Sequence, residues 1–114
     1  MSSSEFYVEL DVFSGRPNPT WALTAAEGDD LLARSKCLPA ADEEMSAGLG
    51  YRGFIVYRTV SDTPQRWLHV GNGRLRIADQ NQIRHYRDTE GIEEWLRQQA
   101  IARGYGALIG SPPE

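Results

Sequence analysis

A chain of 114 residues is the size of one domain with one hydrophobic core, and 40% hydrophobic with 25% charged residues is the composition of a folded globule rather than a disordered segment. The formal net charge of -4 argues against a protein that holds duplex DNA by bulk attraction to its phosphates. There is no basic leader and no apolar run near the roughly 18 residues of a bilayer crossing, and the lone Cys37 leaves no internal disulfide or cysteine zinc cluster, so the expected setting is cytoplasmic with no membrane partner.

Met1 to Ser4 reads as a frayed start, residues 5–110 as the domain, and 111–114 as a tail. Phe6, Val8, Leu10 and Val12 alternate with Tyr7, Glu9, Asp11 and Phe13, the period-2 pattern of a half-buried first strand. Ser14-Gly15-Arg16-Pro17-Asn18-Pro19 ends it as a stiff loop, because two prolines cannot donate to a ladder. Thr24 and Glu27 have the spacing of a capping box, so a helix is expected from there to about Cys37, with Leu31, Leu32 and Leu38 inward and Gly28 as its weak point.

Ala40 to Gly53 reads as a surface loop, and the β-branched and aromatic run Phe54 to Val60 as the second strand, ended by Ser61-Asp62-Thr63-Pro64. Asn72-Gly73 suits a two-residue hairpin turn of positive φ, which sets Val70 opposite Leu75, His69 opposite Arg76, Leu68 opposite Ile77 and Trp67 opposite Ala78. Leu68, Val70, Leu75 and Ile77 then share a buried face; Trp67, His69, Arg74 and Arg76 share a polar one. A second helix is expected, capped by Asp88 or Thr89 and closed by Arg103 before Gly104, with Ile92, Trp95, Leu96 and Ala102 inward and Ile101 outward. Tyr105 to Ile109 reads as a short edge strand.

The expected architecture is therefore α+β: a single two-layer domain with a mixed or antiparallel sheet of about four strands, both helices on one face, in the order β-α-β-β-β-α with a short final strand. A ferredoxin-like variant is one topology that satisfies it.

The chemistry is less explicit. Gly48-Leu49-Gly50-Tyr51-Arg52-Gly53 matches G-x-G-x-x-G letter by letter, but it opens a strand instead of a helix, so no dinucleotide cofactor is expected. His69 and His85 are the only histidines and neither belongs to a ligand motif, so no metal is expected either. No nucleophile elbow or phosphate loop occurs, and Cys37 lacks the context of a catalytic thiol.

Two features stand out as candidate ligand-binding sites. The first is the proline-fixed loop carrying Arg16 and Asn18, two strong hydrogen-bonding side chains with little conformational freedom left to lose; its bland alternative is a rigid corner with Trp21 on the core. The second is the platform of Trp67, His69, Arg74 and Arg76. Together they suggest a non-catalytic binding module for an acidic small molecule, a peptide or a protein partner, with outward Ile101 offering a route to a homo-oligomer. The alternative is a small enzyme with a dispersed site, in which Arg16 holds an anion, His69 is the general acid or base, and Asp11 or Asn18 supports it. A third reading, single-stranded nucleic acid stacked on Tyr7, Tyr57 and Trp67, is opposed by the acidic charge balance.

Ser14-Gly15-Arg16-Pro17-Asn18-Pro19 followed two residues later by Trp resembles a segment of small bacterial proteins, a source that the arginine-rich basic set, with Lys36 as its one lysine, also fits. The resemblance covers this segment and the strand before it and implies no activity.

Overall fold

A computed structural model describes residues 5–12, 17–36, 38–41, 53–79 and 82–109. Six strands form one antiparallel sheet: β1 (Phe6–Leu10), β2 (Thr20–Ala22), β3 (Phe54–Val60), β4 (Thr63–Gly71), β5 (Arg74–Asp79) and β6 (Gln82–Arg87), in the order β2-β1-β3-β4-β5-β6. Helices α1 (Ala25–Ser35) and α2 (Ile92–Ala102) and a single turn α3 (Gly106–Ile109) complete it. The α+β class agrees with the sequence; the described residues form six strands, not about four.

Both additional strands arise where propensity is weak. Three-residue β2 follows Pro19, whose carbonyl accepts a bond from Leu10 N–H and so continues the β1 ladder past the loop. In β6, Arg84, His85 and Arg87 replace the β-branched residues that usually advertise a strand, which is how natural edge strands resist further pairing. Its outer edge is covered as well, because Ala41 N–H donates to His85 O and Arg87 N–H to Pro39 O.

Ser61-Asp62 does more than end a strand. Both residues have positive φ, so they form the two-residue turn of a β3–β4 hairpin that takes Thr63 and Pro64 into β4. The Asn72-Gly73 hairpin is as expected, with Leu68, His69 and Val70 opposite Ile77, Arg76 and Leu75. The expected strand at Tyr105 to Ile109 is instead helical from Gly106 to Ile109: Arg103 and Gly104 end α2, and the Tyr105 N–H bonds back to Ala100 O, turning the chain onto the helix end.

One core holds the molecule together. Phe6, Val8, Leu10, Trp21, Phe54, Val56, Leu68, Val70 and Leu75 from one sheet face pack with Leu31 of α1 and with Ile92, Leu96 and Ala100 of α2, so both helices cover the same face. Ala100, not Ala102, completes the α2 stripe, and Ile101 points outward, about half exposed. The capping box at Thr24 and Glu27 is formed, and the Asp88 carboxylate accepts from the N–H groups of Ile92 and Glu93 at the start of α2.

Two glycines are fixed by close approach. A Cβ on Gly28 would stand 2.8 Å from the Phe6 ring, so the residue that weakens α1 as a helix is the one that lets it settle on β1. Gly53 has φ +98°, and a side chain there would strike the Val70 carbonyl oxygen, which gives the last glycine of the G-x-G-x-x-G match a backbone reason.

Candidate functional site

The sheet face opposite α1 and α2 is built by alternation. Residues that alternate with the core positions along β1, β3, β4 and β5 point to it, and directly paired residues share a face. One cross-strand row runs Thr20, Glu9, Ile55, His69, Arg76, His85. The row toward the Asn72-Gly73 turn carries Gly71, Arg74 and Arg87; the row on the other side carries Tyr7, Tyr57 and Arg66.

His69, Arg74 and Arg76 are therefore together, as the hairpin register requires, and β6 adds His85 and Arg87. Trp67 is not with them. Val56 pairs with Leu68 but Tyr57 pairs with Arg66, which leaves Trp67 as the extra residue of a β-bulge. The bulge turns Trp67 to the helix side, where its ring lies 5.4 Å from that of Phe6 at the margin of the core. Arg66 takes the place on the polar face that strict alternation assigns to Trp67. Of the three aromatics considered for base stacking, Tyr7 and Tyr57 are on this face.

Arg16, Cys37 and residues 48–52 lie outside the described residues. Asn18 lies within them: its Oδ1 accepts from Val12 N–H at 3.1 Å, and its Nδ2 donates to Glu9 Oε2 at 2.6 Å. Trp21 packs into the core against Phe54 and Tyr105 and donates from Nε1 to Gln99 at 2.9 Å, so this part of the stiff corner is structural. Asp11 faces His69 with Oδ2 3.9 Å from Nε2, both half-buried.

The same face contains a second cluster. The Tyr57 hydroxyl donates to Glu9 Oε1 at 2.6 Å, so Glu9 is gripped by Tyr57 on one oxygen and Asn18 on the other. Burial pushes the Tyr57 phenol above its ordinary value of 10.0 and the bond to Glu9 adds to this, while the Arg66 guanidinium opposes it. Around this group opens a cavity of about 420 Å³ lined by Tyr7, Glu9, Thr20, Tyr57, Thr59, Asp62 and Pro64. The alternation of β1 already marks Tyr7 and Glu9 as outward; their convergence with Tyr57, Thr59 and Asp62 depends on the long-range pairing of β1 with β3.

Among the described residues no group of three or more His, Cys, Asp or Glu side chains is placed to hold a metal, and no helix is long and apolar enough to cross a membrane. No protein-family profile, curated protein or solved structure matches the chain.

Proposed function

We propose that the chain is a non-catalytic binding module whose sheet face opposite α1 and α2 takes an acidic ligand, a carboxylate or phosphate group carried by a small molecule, a peptide or a partner protein. One observation carries this reading: Arg74 lies directly opposite Arg87, and Arg76 directly between His69 and His85. Like charges directly opposite on neighbouring strands destabilise a sheet by a few tenths of a kcal/mol up to about 1. Neither Arg74, Arg76 nor Arg87 forms an ion pair with a described residue. A chain with net charge -4 thus spends stability on collecting cations in one place, a cost that an incoming anion relieves. His85 adds an Nδ1 that is shielded from solvent and holds no hydrogen bond to a described residue.

The test is a calorimetric titration of citrate and of a short acidic peptide at fixed ionic strength, with wild type and Arg76→Gln. Losing one charge-assisted pair of hydrogen bonds, about 1.5–3 kcal/mol, weakens binding roughly tenfold or more, while the melting temperature of the free protein stays within a few degrees. Equal heats for the two proteins, or heats that sodium chloride reproduces, refute the reading.

A second reading rests on the Asp11 and His69 contact, an orientation suited to a carboxylate that supports a general base in a small enzyme. It requires turnover lost in His69→Gln with ligand binding retained.

A further inference from the structure

The cavity beside the cationic rows has the opposite character. Its aromatic lining comes from Tyr7 and Tyr57, which are paired directly across β1 and β3, and its carboxylates are Glu9 within and Asp62 at the exposed hairpin turn. Thr20, Thr59 and Pro64 complete it. It is open to solvent, and its volume of about 420 Å³ falls in the range of small-molecule sites.

Glu9 gives it direction. The side chain is half-buried, and its two oxygens are fixed by neutral donors, the Tyr57 hydroxyl and the Asn18 amide. It forms no ion pair with any described cation. Arg66, across from Tyr57, acts on the phenol. A partly desolvated carboxylate held in one orientation without a counter-ion is costly for the free protein and favourable for a cation that reaches it. Aromatic rings attract cations as well, more strongly as water is excluded. An anion here would meet Glu9 and Asp62.

We propose that this cavity binds an organic cation, an ammonium or guanidinium head on a short alkyl chain. The head would sit against Glu9 with Asp62 at the entrance, and the chain would lie along Tyr7, Tyr57 and Pro64. This site is separate from the cationic rows on β4 to β6, and each can fail without the other.

The test is a titration of the isotopically labelled protein with butylammonium chloride, with butanol as the neutral isostere and ionic strength held constant. Amide signals of β1 and β3 should move saturably with butylammonium and much less with butanol. Removing the half-buried charge in Glu9→Gln should weaken binding about tenfold, as expected for a charge-assisted contact. Asp62→Asn, at an exposed turn residue with φ 66° that Asn also tolerates, should weaken it about two- to threefold. Running N-acetyl-lysine amide in parallel separates the sources: tighter binding than butylammonium assigns the head to a basic peptide side chain, weaker binding to a free amine. The proposal is overturned by an absence of saturable shifts, by equal response to butanol, or by unchanged affinity in Glu9→Gln. Should Glu9→Gln lose its cooperative melting transition, Asp62→Asn decides, and unchanged affinity there overturns the proposal as well.

Discussion

The two faces of this sheet are built by the same strands and do opposite work. On the helix side, Val8, Leu10, Phe54, Val56, Val70 and Leu75 are essentially without solvent contact and share one cluster with Leu31, Ile92 and Leu96. On the other side, the alternate residues of those strands set arginine against arginine and leave a half-buried carboxylate with neutral partners only. A single pairing scheme thus lets stability be concentrated on one surface so that the other can hold unfavourable chemistry in place. Ile55, buried in the middle of the polar face, stands between the cavity and the cationic rows.

That division can be attacked from either side. The largest effect is expected on the helix face: Phe54→Ala should cost about 3–5 kcal/mol in urea unfolding, as truncation of a fully buried aromatic does, and a loss below about 1 kcal/mol would deny that face its role. Trp67→Ala comes next. Its ring is half-buried against Phe6, so a loss of about 2 kcal/mol is expected; a polar-face Trp67 predicts almost none. On the polar face the sign reverses, because Arg87→Gln removes one half of the Arg74–Arg87 pair and should leave the free protein unchanged or stabilise it by a few tenths of a kcal/mol while weakening the proposed anion binding.

The smallest effect concerns alkaline pH. The folded Tyr57 phenol holds its proton to higher pH than it does in the unfolded chain, so its contribution to stability is complete below about pH 10 and is lost as pH climbs through the folded value. Unfolding curves of wild type and Tyr57→Phe should therefore converge as pH rises above 10. Parallel curves would show that the hydroxyl is not buried against Glu9.

Legibility followed the range of the interaction that decides each element. Thr24 with Glu27, Asp88 before Ile92, and Asn72-Gly73 act within a few residues, and all three are visible in the sequence and present in the fold. The hairpin register placed His69, Arg74 and Arg76 on one face for the same reason. β2 and β6 were not visible: Thr20–Ala22 is too short to show a period, and the arginines and histidine of β6 are tolerated because that strand lies at an edge. Tyr105 to Ile109 carries no periodic signal strong enough to separate a strand from the one helical turn that Gly106–Ile109 forms. Gly28 is a weak helix former by local propensity, and only the long-range approach of the Phe6 ring, which occupies the space of its missing side chain, explains it. The cavity required knowing that β1 pairs with β3, a contact between segments more than forty residues apart.

The Trp67 bulge acts as a phase marker in the chain. Toward the Asn72-Gly73 turn the odd-numbered His69 faces the polar side, whereas beyond the bulge the even-numbered Arg66 does. A single-residue deletion at position 67 would restore one parity along β4, leaving Leu68 opposite Val56 and Arg66 opposite Tyr57 while removing the indole that now shields Phe6. The length of this strand thus matters as well as its letters: the number of residues between the two hairpin turns sets which surface His69 and Arg66 reach.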